Sequence, residues 1–142
     1  GLKSATELAV LNANYMLARL GEHWHVPYRQ TCMHELIISD KNLRETHVTT
    51  MDIAKRLIDY GFHAPTVYFP LVVKGAMLIE PTENESKATL DQFCDAMEAI
   101  RNEAHTDPDK VLGAPHHTRL RRLDETRAAR TPILRWTEPA AS

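Results

Sequence analysis

The chain has 142 residues and a formal net charge of −2 at pH 7, and 43% of its residues are hydrophobic. This length and composition predict one globular domain, or a smaller domain followed by a tail. The nearly balanced charge does not favour nucleic acid as a partner, and no apolar run is long enough to cross a membrane. The two cysteines, Cys32 and Cys94, are too few for a disulfide scaffold, so a reducing cytoplasm is expected.

The first predicted element is a helix from residue 2 to residue 20. The apolar residues at the spacing of one helical face are Leu8, Leu11, Tyr15 and Ala18. Further apolar residues widen that face, so we expect the helix to contact a neighbour and the isolated chain to self-associate. Gly21 is predicted to end the helix in a left-handed conformation. Because the chain starts without Met and is helical from its second residue, we expect it to be a fragment of a longer protein.

The next predicted elements are a strand at residues 31–39 and a second helix. In the strand, His34 lies among apolar neighbours, and its ordinary interpretation is a buried histidine bonded to a backbone carbonyl. Thr49 is the predicted N-cap of the second helix, and Asp52 is its reciprocal partner in a capping box.

The segment GFHAPT after the second helix is too specific in composition to be a generic spacer. Gly61 is predicted to end the helix in a left-handed conformation, with Phe62 folded back as the usual hydrophobic contact. Pro65 forces an extended backbone on the residue before it. His63 therefore lies in a turn of defined shape, where a structural role and a ligand-facing role are both open.

Two short strands and a third helix are predicted after this connection. The strands are expected at residues 66–69 and 76–80. Thr82 and Glu85 fit a capping box for the third helix, which should continue to about residue 104.

These elements predict an α+β fold, a small and mostly antiparallel sheet of three or four strands covered by helices. We expect residues 1–105 to form a small domain and residues 106–142, which carry prolines and clustered arginines, to form an extended arm. The close histidine pairs are His23 with His25 and His116 with His117. Neither pair has acidic or Cys neighbours at ligand spacing, so no metal site is predicted, and neither cysteine has the setting of a nucleophile.

Several segments resemble one enzyme family in order and in detail. These are AKRLIDYGFHAPT, YFPL and MLIEPTENESKATLDQFCDAM, together with ATELAVLNANYMLARL, MHELIIS and APHHTRLRRLDETRAAR. They are similar to the C-terminal part of glycine dehydrogenase (decarboxylating), the P-protein of the glycine cleavage system. The form YFPLVVKGAMLIEPTE resembles the second subunit of the two-subunit enzymes. The segment MHELII departs from the VAHE or AHE pattern that the family usually carries.

The resemblance implies a C-terminal small domain of a fold-type I pyridoxal-phosphate (PLP) enzyme. In that family the cofactor accepts the electrons released as glycine loses carbon dioxide, and the aminomethyl group passes to the lipoyl arm of the H-protein. The implied partners are glycine, the first P-protein subunit and the lipoylated H-protein, in an oligomer. The Schiff-base lysine and the phosphate cup precede this domain in the family, so we expect them upstream of Gly1 and expect the isolated chain to be inactive.

The resemblance also carries over seven candidate residues for the cofactor or substrate cleft. They are His34, Glu35, His63, Thr66, Glu80, Thr82 and Glu83. For Glu80 and Glu83, which flank the predicted capping box, a role at the helix start is the other interpretation. The alternative function, from a different class, is a free-standing small α/β binding or regulatory module without catalysis.

Overall fold

A computed structural model of the protein describes residues 1–138, and these form helices around a small sheet. The helices are α1 (Leu2–Leu20), α2 (Thr50–Asp59), α3 (Lys87–Thr106), α4 (Pro108–Leu112) and α5 (Glu125–Arg130), and a 3-10 helix spans Asp40–Thr46. The strands are β1 (Leu36–Ser39), β2 (Thr66–Val67) and β3 (Ala76–Ile79). They form one three-stranded sheet in the order β1-β3-β2, with both pairs antiparallel. The predicted α+β class is confirmed.

One hydrophobic core joins the sheet to the helices. Its fully buried or nearly fully buried members include Met16, Ile38, Ile53, Leu57, Met77, Leu90, Met97, Ile100 and Val111. They come from α1, β1, α2, β3, α3 and α4, so each of these elements contributes apolar side chains to the same interior. None of the helices within residues 1–138 combines the length and the apolar character that a membrane span requires.

Helix α1 has the predicted bounds, but its C-terminus differs from the prediction. Gly21 has a φ of −64° and continues the right-handed turn, and its N–H donates to the Leu17 carbonyl at 2.9 Å. The prediction that Gly21 ends α1 in a left-handed conformation is therefore wrong. A glycine is still required there, because a Cβ would lie 2.7 Å from the Leu17 carbonyl oxygen.

Both predicted ends of α2 are confirmed. The capping box is formed, with the Thr49 N–H donating to the Asp52 carboxylate at 2.8 Å. Gly61 has a left-handed φ of 84°. The N–H of Phe62 donates to the Leu57 carbonyl at 3.1 Å, which is the long hydrogen bond of a Schellman motif.

The first two strands are shorter than predicted. Residues 31–35 do not join β1, because the side-chain amide of Asn14 takes the place of a neighbouring strand on Cys32. His34 is 56% exposed at its side chain, so the prediction of a buried histidine is wrong. Strand β2 ends at Val67 because Tyr68 has a φ of 57°, which is incompatible with an extended strand.

The N-cap of helix α3 lies four residues after its predicted position at Thr82. Its N-cap is Ser86, whose hydroxyl accepts the Thr89 N–H at 3.1 Å. The predicted capping box of Thr82 and Glu85 is wrong. Residues 82–85 instead form a turn in which the Glu85 N–H donates to the Thr82 carbonyl at 3.2 Å.

The segment after α3 returns along α2. Val111 and Ala114 are fully buried, and the Asp59 carboxylate accepts the N–H groups of His116 and His117 at 2.7 and 2.9 Å. Further along, Arg122 pairs with Asp52 at 2.7 Å. The division into a domain of residues 1–105 and an arm of residues 106–142 stays a prediction, and residues 139–142 lie outside the described part of the chain.

Candidate functional site

A cleft of about 420 Å³ lies between the connection after α2, the end of β3 and the start of α3. Its apolar lining residues include Met16, Phe62, Leu78, Leu90 and Phe93. Its polar lining residues are His63, Thr66, Glu80, Thr82, Glu85 and Thr89. A mixed lining of this kind, with a few polar groups on an apolar surface, is typical of small-molecule sites.

The turn that ends α2 places His63 and Thr66 at the cleft. The left-handed Gly61 reverses the chain, and the Phe62 ring then packs edge-on against Phe93 of α3 at 5.3 Å between centroids. Thr66 is fixed by its pairing with Leu78 in β3. His63 is thus held between an aromatic contact and a strand pair, with its side chain exposed at the cleft.

The opposite part of the cleft is the segment that leaves β3. Glu80 follows the last residue of the strand, and Thr82 begins the turn of residues 82–85. The Asn12 side chain of α1 donates to the Thr82 carbonyl at 2.8 Å. Because this asparagine is only 9% exposed, α1 anchors the turn from inside the protein.

The structure divides the seven candidates into three groups. His63, Thr66, Glu80 and Thr82 line the cleft together. The Nε2 atom of His34 lies 3.7 Å from Oε1 of Glu80, so His34 borders the cleft through that carboxylate. Among the described residues Glu35 lines a different and smaller cavity, of about 180 Å³, and exposed Glu83 lines neither of these two sites.

Sequence reasoning missed several residues of the site. Phe62 was assigned to the hydrophobic contact that ends the second helix, Glu85 was assigned to helix capping, and Phe93 was not named as a site residue, although all three line the cleft. Asn12 had a detectable signal, because it lies four residues before Met16 and eight before Leu20 on the buried face of α1. A polar residue on such a face requires a hydrogen-bond partner.

The cleft does not by itself fit PLP. The cofactor requires a lysine amine for its covalent attachment and several donors for its phosphate. Within residues 1–138, no lysine or arginine lines the cleft, and the carboxylates of Glu80 and Glu85 would repel a phosphate. Within the same residues no group of three or more His, Cys, Asp and Glu side chains could hold a metal ion.

Comparison with known proteins gives a consistent family assignment. Residues 5–116 match the family described as glycine dehydrogenase, C-terminal domain. A probable glycine dehydrogenase (decarboxylating) subunit 2 of Staphylococcus saprophyticus is 58% identical over 136 residues, which is 96% of this chain and 28% of the relative. Proteins of the same description from Staphylococcus aureus and Staphylococcus haemolyticus are 57% identical with the same coverage.

The matched region is therefore a part of a much longer subunit in these relatives, since it spans 28% of their length. The resemblance to the second subunit is confirmed by relatives that carry this description across nearly the whole chain. The GFHAPT motif (residues 61–66) and the EPTE motif (residues 80–83) both fall within the matched residues, and both contribute residues to the lining of the cleft. This chain belongs to the glycine dehydrogenase C-terminal domain family.

Proposed function

We propose that this chain is the C-terminal domain of the second subunit of a PLP-dependent glycine decarboxylase, and that its cleft forms one wall of the reaction site. The observation that carries the proposal is that residues of two separate motifs lie together in the fold. His63 and Thr66 of GFHAPT and Glu80 and Thr82 of EPTE are separated along the sequence, yet they line the same cleft. The relatives that share nearly the whole chain are described as subunits of a decarboxylating glycine dehydrogenase.

In this proposal the cofactor is attached by polypeptide that precedes the domain. When bound, PLP supplies the electron sink for the pair released as carbon dioxide leaves glycine. This chain contributes the orientation of the reacting groups, and it excludes water from the site. The aromatic pair Phe62 and Phe93 gives an apolar surface for an aliphatic chain such as a lipoyl arm, and His63 and Glu80 offer hydrogen-bonding groups beside it.

The proposed setting follows from the same assignment. The first P-protein subunit and the lipoylated H-protein are the partners, glycine is the substrate, and the active form is an oligomer. Both cysteines are free thiols, which is consistent with the cytoplasm as the compartment.

Substitution of the polar cleft residues should lower catalysis in the complete two-subunit enzyme. For His63→Gln and Glu80→Gln, we expect kcat/KM for H-protein-dependent glycine decarboxylation to fall at least about tenfold, because misplaced positioning groups have effects of this size or larger. The melting temperature should be unchanged, since both side chains are exposed.

The control for the cleft variants is Glu45→Gln, which makes the same chemical change as Glu80→Gln on the exposed surface of the 3-10 helix. It should retain wild-type kcat/KM. If both cleft variants also retained wild-type kcat/KM, the proposed role of the cleft would be wrong.

The isolated chain should self-associate through α1. Leu8 and Leu11 are 46% and 62% exposed on a helix whose other face is buried in the core. Sedimentation velocity should show a dimer or larger species whose proportion rises with concentration, because association removes this apolar surface from water. The double variant L8E/L11E should sediment as a monomer.

The matched control for self-association is L71E/V72E, since Leu71 and Val72 are exposed apolar residues of the β2–β3 loop rather than of α1. It should associate like the wild type. A wild-type chain that stays monomeric at high concentration would contradict the prediction.

A further inference from the structure

The side chains of two asparagines of α1 form hydrogen bonds with chain segments that are distant in sequence. These segments lead to or from residues that border the cleft. Asn12 is 9% exposed and Asn14 is half-buried, so both side chains lie against the protein rather than in solvent. Asparagine is a poorer helix former than alanine by about 0.7 kcal/mol. Two such residues in the middle of a long helix are therefore explained by what their side chains bind.

Asn14 binds the segment that leads to His34. Its Nδ2 donates to the Cys32 carbonyl at 2.8 Å, and its Oδ1 accepts the Cys32 N–H at 3.0 Å. A paired strand would bond both backbone groups of a residue in the same way. The backbone two residues before His34 is thereby fixed to the helix.

Asn12 binds the segment that follows Glu80. Its Nδ2 donates to the Thr82 carbonyl at 2.8 Å and lies 3.5 Å from the Glu85 carbonyl. These carbonyls are at the two ends of the turn of residues 82–85. The turn, and with it the backbone leaving Glu80, is thereby fixed to α1, as the Cys32 segment is.

The sheet does not provide this anchoring at the cleft. The β1–β3 ladder ends at the pair of Leu36 and Ile79. His34 precedes that pair and Glu80 follows it, so both residues lie just beyond the last rung, where two antiparallel chains would otherwise separate. Their side chains nevertheless meet, with 3.7 Å between Nε2 of His34 and Oε1 of Glu80.

We propose that Asn12 and Asn14 are positioning residues, which hold the two chain segments beyond the β1–β3 ladder so that Glu80 is presented to the cleft with His34 beside it. The proposal rests on the proposed function of the cleft. Asn12 and Asn14 do not line the cleft among the described residues, and their effect on the reaction passes through Glu80.

The test is a double-mutant cycle in the complete two-subunit enzyme. Asn12→Asp keeps the shape of the side chain but removes both donor hydrogens and places a carboxylate against the Thr82 carbonyl. We expect kcat/KM for glycine decarboxylation to fall about tenfold in Asn12→Asp alone. In a Glu80→Gln background the same substitution should change kcat/KM less than about twofold, because residues that act through one group are not additive.

Two further variants complete the experiment. Asn14→Asp loses the donors to the Cys32 and Val10 carbonyls. It is measured in parallel, so that if one asparagine variant misfolds, the other still decides the test. Asn102→Asp, on the exposed face of α3, makes the same chemical change away from the cleft and should retain wild-type kcat/KM.

The outcomes separate this inference from the proposed function. One outcome is that Glu80→Gln lowers kcat/KM but the asparagine variants have no effect, or their effects on kcat/KM multiply in full with that of Glu80→Gln. The positioning role is then wrong and the cleft assignment stands. If Glu80→Gln itself has no effect, the positioning role is wrong, and His63→Gln then decides whether the cleft assignment stands. A tenfold fall that disappears in the Glu80→Gln background supports both.

Discussion

Replacement of Arg56 by methionine is expected to lower the free energy of unfolding by about 3 kcal/mol or more. The Arg56 side chain is 7% exposed and binds Glu103 with two hydrogen bonds, of 2.8 and 3.0 Å, and Asp59 with one of 2.9 Å. Methionine fills a similar volume, but it leaves two carboxylates without their shared cation. Urea unfolding of the chain measures the difference.

The control for this prediction is Arg44→Met, because Arg44 is exposed on the 3-10 helix. An exposed substitution of this kind should change the unfolding free energy by less than about 0.5 kcal/mol. An Arg56→Met variant as stable as Arg44→Met would show that the ion network contributes nothing to stability.

The acid dependence of stability identifies the same network. Burial alone would raise the pKa of Glu103, but hydrogen bonds from Arg56, Lys110 and Tyr60 outweigh it and lower the pKa from 4.5 to about 2. A carboxyl whose pKa is lower in the folded state stabilises fully above the unfolded value. That stabilisation is then lost as the pH falls from about 4.5 towards 2. Arg56→Met should lose less stability across this window than the wild type.

The second large effect is expected for Gly75→Ala, which should lower the free energy of unfolding by about 3 kcal/mol. Gly75 has a φ of +66°, and a Cβ would lie 2.0 Å from an oxygen of Asp40. The Asp40 carboxylate accepts the Thr50 N–H at 3.0 Å, and the Thr50 hydroxyl donates to the Gly75 carbonyl at 2.7 Å. The added methyl group therefore strains the backbone and displaces a half-buried, hydrogen-bonded carboxylate.

Gly61→Ala separates the two causes. Gly61 has a φ of +84°, but a Cβ added there would have no atom within 4 Å beyond its own chain neighbours. Backbone strain alone should then lower the unfolding free energy by about 1 kcal/mol. Equal losses for the two alanine variants in urea unfolding would contradict the role assigned to Asp40.

The local signals in the sequence were sufficient for helices α1 and α2 and for the turn that ends α2. Apolar spacing placed α1, and the Thr49–Asp52 pair and Gly61 placed the ends of α2. These features depend on residues within a few positions of one another. Hydrophobic periodicity and capping are local properties, so a single sequence contains them.

The errors arose where a distant side chain overrides the local pattern. Residues 31–35 have the composition of a strand, but Asn14 binds Cys32 and no strand of the described chain pairs there. Thr82 and Ser86 are both acceptable N-caps, and Asn12 decides between them by holding the turn at Thr82. The position of Asn12 on a buried helix face shows that it needs a partner, but no local pattern shows that this partner lies about 70 positions away.

The site was predicted in part, and through the family resemblance. The polar motif residues His63, Thr66, Glu80 and Thr82 were named from the resemblance, and the fold brings them to one cleft. The aromatic pair Phe62 and Phe93 was not named as part of the site, because an apolar side chain in a sequence indicates core wherever it lies. Its position at the cleft depends on the chain reversal at Gly61.

The central claim is that PLP is attached by polypeptide outside this chain, and that this domain forms one wall of its site. The most direct test titrates PLP into the isolated chain and into the complete two-subunit enzyme while the visible absorbance is recorded. We expect a saturable band from lysine-bound PLP in the complete enzyme and no stoichiometric band in the isolated chain. One equivalent of lysine-bound PLP on each isolated chain would contradict the claim.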